Sequence, residues 1–200
     1  MSELFFHLVF VFVFASFTLI RMIYHRRASQ SRGEVEFREG KTHIVLRLLV
    51  GIPFMLSLLV YIFAPRLFSW AAFDLPLWAR WTGIGLGLAS LPLIIWVQQA
   101  LGSNFSTVLH VRQEHSLVTR GPYRWVRHPM YTVLFIHLAG ILLVTANWYI
   151  GGVPLAALLL IVITRLGNEE QLMQEKFGEA YRAYMQSTGR FLPRYRVVRS

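Results

Sequence analysis

The sequence lacks cysteine and is poor in charge, since only 15% of its 200 residues are charged. The absence of cysteine excludes disulfide bonds, thiolate nucleophiles and thiolate metal sites, and it says nothing about compartment. Acidic residues are scarce as well, with 10 Asp and Glu against 20 Lys and Arg. Between residues 129 and 164 no charged residue occurs. An ordinary soluble domain does not carry such a stretch.

Hydrophobic residues are what the sequence has in excess: they make up 55% of the chain, and the mean hydropathy is +0.48. A chain of this length allows one domain, or at most two small ones. A soluble protein of this size cannot bury so much apolar surface, whereas a bilayer can. The net charge of +10 would suit nucleic acid, but in a membrane protein basic residues collect on the cytoplasmic side. We therefore predict a membrane protein without a nucleic-acid partner.

Apolar runs predict an all-α integral membrane protein with about five transmembrane helices and a C-terminal cytoplasmic amphipathic helix. The first run has no small-residue cleavage site, so we expect it to be retained as a helix. The uncharged stretch 129–164 is too long for one helix and predicts a hairpin that turns near Asn147. The first three runs are Leu4–Ile20, Leu48–Pro65 and Trp81–Leu101.

The chain divides in two by this interpretation: a three-helix membrane region over residues 1–100 and a region over 101–200 that holds the polar segments. The second region contains the hairpin 129–164 and a C-terminal helix 168–187. Asn168 is expected to begin that helix, with Glu169 and Glu170 in its first turn, where acids suit the helix dipole. Gly83, Gly87 and Ser90 form a small-residue stripe that predicts close packing against another helix. A homodimer contact at this stripe stays open, and with it the oligomeric state.

Charge asymmetry predicts the orientation in an inner or plasma membrane. With five spans and the N-terminus outside, all Lys and Arg except Arg66 and Arg80 fall on the inner side, as the positive-inside rule requires. The C-terminus is then cytoplasmic. This topology also brings residues 115–131 and 165–184 to the same cytoplasmic face.

Five polar residues of these two segments are candidates for a site: Arg127, His128, Arg165, Glu169 and Glu170. Each has a structural alternative. Arginines at helix ends anchor to lipid headgroups, acids suit a helix start, and a histidine before proline is a natural helix cap. Convergence of all five on one face, beside a hydrocarbon boundary, favours a functional site.

Other kinds of site find no support in the pattern. No spacing of His, Asp and Glu resembles a metal site, and no local Ser, His and Asp signature is present. Gly83 and Gly87 do not open a helix after a strand, so a dinucleotide fingerprint is excluded. We interpret His137, inside the fourth apolar run, as a satisfied bundle histidine.

Two ordered blocks resemble a known family. The first is Gly-Pro-Tyr at 121–123 followed by Arg-His-Pro-Met-Tyr at 127–131. The second block is Arg165, Glu169, Glu170, Phe177–Tyr181, Tyr184 and Pro193. Together the two blocks resemble the signature of the isoprenylcysteine carboxyl methyltransferase family and its phospholipid methyltransferase relatives. The likeness covers roughly residues 100–195.

The resemblance implies an integral membrane methyltransferase that uses S-adenosyl-L-methionine, with S-adenosyl-L-homocysteine as product. The implied acceptor is a lipid or lipidated molecule, first of all the carboxylate of an isoprenylcysteine-like substrate. Arg165 would face the polar end of that substrate and act in catalysis with Glu169 and Glu170. The implied cofactor contacts are His115, Ser116, Leu117, Val118, Tyr123, Arg127, His128, Pro129, Met130, Tyr131, Glu169 and Glu170.

The chemistry agrees with these roles. Methyl transfer from a sulfonium needs positioning more than acid–base machinery. His128 or Arg127 would bind the cofactor carboxylate, and the glutamate pair its amino group or ribose hydroxyls. Tyrosine faces would favour the sulfonium by cation–π attraction. A carboxylate acceptor held by Arg165 needs no general base, whereas an amine acceptor would need one, and a glutamate could then serve.

Three other functions stay open. A phospholipid N-methyltransferase would use the same cofactor on an amine. Sterol reductases resemble the first block but bind NADPH, and this chain is short for them. A membrane scaffold or transporter subunit ranks last, because it leaves both polar blocks without a purpose.

Overall fold

The computed structural model describes residues 2–30, 41–102 and 117–194, and side chains for all of these except 28–30 and 41–50. The described residues are helical, and their only β-type pairings are the isolated bridges Ala72–Asn147 and Val126–Gly189. Short 3₁₀ segments cover Pro65–Ala71 and Gly121–Arg124, and a π-helical turn covers Trp148–Gly152. The predicted all-α class is confirmed. The helices are α1 (Glu3–Gln30), α2 (Lys41–Phe63), α3 (Leu77–Leu101), α4 (Pro129–Thr145) and α5 (Val153–Ser187).

The chain is a multi-pass integral membrane protein. In the described part, three helices are long and apolar enough to cross a bilayer: Glu3–Arg27, Leu77–Leu101 and Trp148–Ser187. Gly51–Phe63 and Pro65–Ala71 give a fourth if this pair, bent by 116°, counts as one span. α4 is apolar but has only 17 residues, about 25 Å of helix. The five-span count therefore stays a prediction.

α3 and α4 form the tightest helix pair, and the small-residue stripe makes their approach possible. A Cβ added at Gly83 would lie 2.6 Å from Leu143 Cβ and 2.8 Å from Val144 N. Further along, Ser90 Oγ lies 3.0 Å from His137 Nδ1. The stripe thus packs within the chain, as predicted, and His137 is a satisfied bundle histidine, as interpreted from the sequence.

Gly83→Ala is expected to lower the stability of the folded protein by about 1–3 kcal/mol, because backbone atoms of α4 leave no space for a methyl group. Gly85→Ala is the matched control: it lies in the same helix, and a Cβ there meets nothing within 4 Å. The control should be neutral or slightly stabilising, since alanine favours helix over glycine. Melting temperatures in detergent provide the comparison, and equal melting of the two variants would contradict the packing argument.

One end of the bundle gathers the start of α1, the start of α3 and the α4–α5 turn. Arg80 Nη2 donates to Glu3 Oε2 at 3.1 Å and to the carbonyl of Val144 at 3.0 Å. Asn147 Nδ2 donates to the carbonyl of Phe68 at 2.9 Å. The start of α4 and the middle of α5 consequently lie at the opposite end.

α5 corrects the predicted C-terminal helix. The expected helix start at Asn168 is wrong, because α5 runs unbroken from Val153 through this position. Its buried positions continue at four-residue steps across the expected boundary, and nothing there stops the helix. The interruption lies instead at Gly178, with φ 52°. Glu169 and Glu170 are therefore in the helix interior, so the helix-start explanation for them does not apply. The buried series is Leu158, Val162, Leu166 and Glu170.

The proposed division into residues 1–100 and 101–200 stays a prediction. α3, before the boundary, makes its most extensive contact with α4, after it. The two parts thus share a hydrophobic core, and this holds whether or not they have separate functions.

Candidate functional site

The segment before α4 is fixed in place by buried contacts. Tyr123 is 9% exposed, and its carbonyl accepts a 2.6 Å hydrogen bond from the Tyr184 hydroxyl. Pro129 occupies the first turn of α4, where its missing N–H costs nothing. His128 is the N-cap residue, yet its side chain makes no capping hydrogen bond. The imidazole is therefore available for other contacts.

Residues 188–191, which follow α5, pair with the backbone before α4, and we call them the strap. Gly189 N donates to the carbonyl of Trp125 at 3.2 Å, and Arg127 N donates to the carbonyl of Gly189 at 2.8 Å. His128 N donates to the carbonyl of Arg190 at 3.0 Å. The strap thereby holds the start of α4 against α5.

A buried carboxylate lies under the strap. The Glu170 side chain is only 5% exposed and binds two guanidinium groups. Arg127 Nε donates to Oε1 at 3.0 Å, and Arg190 Nη2 donates to Oε2 at 2.7 Å. Arg127, itself 8% exposed, also donates to the carbonyl of Met185 at 3.1 Å. Two cations compensate the desolvation that one buried carboxylate suffers. We call these residues the Arg127–Glu170–Arg190 triad.

Glu169 faces a different group of partners. Its Oε1 accepts a 2.8 Å hydrogen bond from the Tyr131 hydroxyl. Arg165 Nη2 lies 3.5 Å from the same oxygen, one helical turn earlier on α5. The side chains of Arg165 and Glu169 are 25% and 20% exposed, more than Glu170. This pair therefore lies at the open side of the site.

His128 lies between the two glutamates without a hydrogen bond to either. Its Nε2 is 3.5 Å from Glu170 Oε1, and its Nδ1 is 3.9 Å from Glu169 Oε2. Burial lowers the pKa of His128 to about 4; the adjacent Glu170 opposes this decrease, whereas Arg127 and Arg190 reinforce it. The imidazole is thus neutral at physiological pH.

Two buried nitrogens in this cluster have no hydrogen-bond partner among the described residues: His128 Nε2 and Arg165 Nε. A buried polar group without a partner is costly, and such groups concentrate at sites that receive a ligand. The charges of the cluster do not cancel, because three guanidinium groups face two carboxylates. An anionic or zwitterionic ligand suits this balance.

An apolar cluster adjoins the polar cluster. Leu158, Val162 and Leu166 of α5 are buried there against side chains of α4, among them Tyr131 and Phe135. Tyr131 therefore contacts both the apolar cluster and, through its hydroxyl, Glu169. The polar site thus borders apolar side chains of both helices.

The structure brings together most of the residues predicted from the sequence. Arg127, His128, Tyr131, Arg165, Glu169 and Glu170 form one cluster. Tyr123, Met130 and Val118 pack in the apolar core beneath it, and Pro129 begins α4. His115 and Ser116 lie outside the described residues, whereas Leu117 is half-buried. Within the described ranges, no group of three or more His, Cys, Asp and Glu could hold a metal ion.

Sequence reasoning missed the strap and Arg190. Arg190 is one of four arginines in the last eleven residues, and no local pattern distinguishes it from the other three. The usable signal is indirect, since a glutamate on the buried stripe of a helix needs cationic partners from elsewhere in the chain.

Comparison with known proteins finds a family whose model matches the region that contains most of this cluster. Residues 83–175 match the model of the isoprenylcysteine carboxyl methyltransferase (ICMT) family. This region is similar to the ICMT family. It includes most of α3, all of α4 and all of the cluster except Arg190. The family resemblance predicted from the two sequence blocks is confirmed.

A solved structure of the eukaryotic intramembrane Ras methyltransferase ICMT has the same fold, with a TM-score of 0.56 at 20% sequence identity. The match covers 92% of this chain and 67% of that chain. The likeness therefore extends to the helices outside the ICMT family region.

Two curated relatives are similar over about half of the chain. Protein YpbQ of Bacillus subtilis, described as uncharacterized, is 29% identical over 54% of this chain and 60% of its own length. The protein-S-isoprenylcysteine O-methyltransferase of Tribolium castaneum is 31% identical over 46% of this chain and 34% of its own length. The chain thus spans less than two thirds of either relative.

Proposed function

We propose that this protein is an integral membrane methyltransferase that moves a methyl group from S-adenosyl-L-methionine to the carboxylate of an isoprenylcysteine-like lipid. One observation carries the proposal: a buried polar cluster with unpartnered His128 Nε2 and Arg165 Nε adjoins the apolar cluster of α4 and α5 side chains. The ICMT family region and the relative named protein-S-isoprenylcysteine O-methyltransferase support the choice of reaction.

The residues present fit this cofactor, which supplies a methyl group on a positively charged sulfur. His128 would hold one of its polar groups through Nε2, the atom without a partner. Glu169 would accept from its amino group or ribose hydroxyls, because its carboxylate is the more exposed of the two glutamates. Glu170, which is paired with two arginines, would hold Arg127 and thereby the start of α4 in place. Of the other implied contacts, Tyr123 and Met130 would support the pocket from below.

Arg165 would bind the acceptor carboxylate. Its guanidinium is one quarter exposed and its Nε has no partner among the described residues. A charge-assisted bond to a carboxylate fits this group, and the lipid chain would lie beside the adjacent apolar cluster. A carboxylate acceptor would need no residue to remove a proton, and transfer of the methyl group would release S-adenosyl-L-homocysteine. The product would be a neutral ester, which Arg165 would hold less tightly than the carboxylate.

We further propose that the site faces the cytoplasm and that the N-terminus lies on the other side of the membrane. Glu3 and Arg80 lie together at the end of the bundle opposite the cluster. Arg66 and Arg80 are the two basic residues that the predicted topology assigns to that outer side, and it assigns the other 18 of the 20 to the inner side. This asymmetry follows the positive-inside rule.

Ligand-dependent melting tests the function. S-adenosyl-L-homocysteine at about 100 times its dissociation constant should stabilise the purified protein in detergent by about 2.7 kcal/mol. NADPH at the same concentration is the control and should leave the melting temperature unchanged. A shift with NADPH alone would favour a reductase and contradict the proposal.

The acceptor is tested separately with labelled cofactor. Transfer from methyl-labelled S-adenosyl-L-methionine to N-acetyl-S-farnesylcysteine should occur, and mild base should release the label, because the product is an ester. Transfer of base-stable label to phosphatidylethanolamine instead would show an N-methyltransferase.

A further inference from the structure

Arg190 is the one member of the polar cluster that lies outside residues 83–175 and is not among the matching residues of the two sequence blocks. It belongs to the strap, and its side chain is 56% exposed, yet it donates at 2.7 Å to the 5% exposed carboxylate of Glu170. An exposed arginine gains little from an ordinary surface ion pair. The pair with Glu170 is a different case, because this carboxylate is buried and also binds Arg127, so the ion pair is shielded from water.

Glu170 has two oxygens, and each has one guanidinium donor. Arg127 binds Oε1 and Arg190 binds Oε2. His128 Nε2 is 3.5 Å from Oε1 and forms no hydrogen bond with it. Each carboxylate oxygen is therefore held by one arginine, and the imidazole next to the carboxylate stays free.

We propose that Arg190 is a positioning residue: by occupying Glu170 from the strap, it prevents Glu170 from capturing His128 and leaves the imidazole free for the bound ligand. The part of this proposal that concerns the ligand rests on the proposed methyltransferase function. The part that concerns Arg190, Glu170 and His128 stands on the geometry of the protein alone.

The physical argument is a competition for one carboxylate. Without Arg190, Glu170 keeps a buried charge with a single cation, and Oε2 loses its donor. The imidazole is a donor within reach, because His128 Nε2 lies 3.5 Å from Oε1 and has no hydrogen-bond partner among the described residues. A short rotation then forms a hydrogen bond from His128 to Glu170, which favours protonated histidine. Arg190 itself acts in the opposite direction, because its charge lowers the pKa of His128.

The other charged and titratable groups around His128 stay unchanged in this comparison. Glu169 and Arg165 reach it from α5, Arg127 precedes it in the chain, and Tyr131 lies one turn into α4, with its ring centroid 5.9 Å from the imidazole. None of these residues is altered when Arg190 is replaced. A change in the His128 titration therefore reports the loss of Arg190.

The direct test is histidine NMR of the ligand-free protein in detergent micelles, with ¹⁵N-labelled imidazoles. The His128 signal is assigned by its absence in His128→Asn. In the unsubstituted protein the ring should stay neutral down to a pKa of about 4. In Arg190→Gln the pKa of His128 should rise by about one unit. Arg190→Lys keeps the positive charge and should restore the low value.

Arg194→Gln is the matched control, because Arg194 follows the strap and, among the described residues, donates to the backbone carbonyl of Gln186 at an exposed position. An unchanged His128 titration in Arg190→Gln would overturn the proposal. An equal shift in Arg194→Gln would overturn it too, since the effect would then be a general loss of positive charge. If the glutamine variant does not fold, Arg190→Lys decides: a rise of about one unit in the pKa of His128 would contradict the proposal.

A second measurement connects Arg190 to the ligand. Affinity for S-adenosyl-L-homocysteine should fall about tenfold in Arg190→Gln, the equivalent of one hydrogen bond lost from His128, and Arg190→Lys should recover most of it. Absence of binding by the unsubstituted protein would reject the proposed function, while the NMR titration would still decide the role of Arg190. Normal affinity in Arg190→Gln would reject the positioning role.

Discussion

Glu170→Ala should lower the free energy of unfolding by about 3–5 kcal/mol, the range found when one partner of a buried ion pair is removed. Arg127 is 8% exposed and donates to Glu170 Oε1, so the variant leaves its guanidinium buried with the backbone carbonyls of Met185 and Thr188 as its remaining partners among the described residues. The strap also loses its side-chain attachment through Arg190. The start of α4 and the end of α5 should then separate more easily.

Equilibrium unfolding in mixed micelles measures this loss, and Glu175→Ala is the matched control. Glu175 lies on the same helix and has an exposed hydrogen bond with Gln171, so its loss should change stability by less than about 0.5 kcal/mol. Glu170→Gln separates charge from shape, because the amide fills the same space and still accepts one hydrogen bond. If Glu170→Ala unfolded as the control does, the triad would have no structural role.

Arg165→Ala and His128→Ala should fail in different ways under the proposed function. Arg165→Ala should bind S-adenosyl-L-homocysteine within about twofold of the unsubstituted protein while turnover falls roughly 100-fold, because the acceptor is no longer positioned. His128→Ala should instead weaken binding of that ligand about tenfold, the equivalent of one hydrogen bond. Isothermal titration and a labelled-methyl assay measure the two effects separately.

Arg182→Ala serves as the control for both, because Arg182 lies on α5 at an exposed position and pairs with Glu179. It should change neither binding nor turnover. The division of roles would be contradicted if Arg165→Ala lost as much affinity for the cofactor product as His128→Ala. It would also be contradicted if Arg165→Ala kept normal turnover.

The sequence predicted the convergence of the two polar segments because topology alone demands it. A hairpin over residues 129–164 returns the chain to the side from which it started, so Arg165 must approach His128. Helix packing was predictable for a similar reason. Small residues four apart, such as Gly83 and Gly87, mark a close approach, and the structure places Gly140 of α4 against both.

Details that depend on distant contacts were not predictable in this way. Glu169 and Glu170 look like a helix start in isolation, but the buried stripe of α5 continues through them. Burial of Glu170 depends on Arg190, and no local pattern connects two residues on either side of the interruption at Gly178. The sequence therefore located the candidate site but did not reveal the strap that packs against it.

The strap also has a consequence for the order in which the chain is made. Residues 188–191 pair with residues 125–128, which leave the ribosome about sixty residues earlier. At typical rates of synthesis this interval is roughly 3 to 12 seconds. During it the backbone carbonyls that accept from Arg127 have not yet been made. The start of α4 is therefore complete well before the strap is available to pair with it.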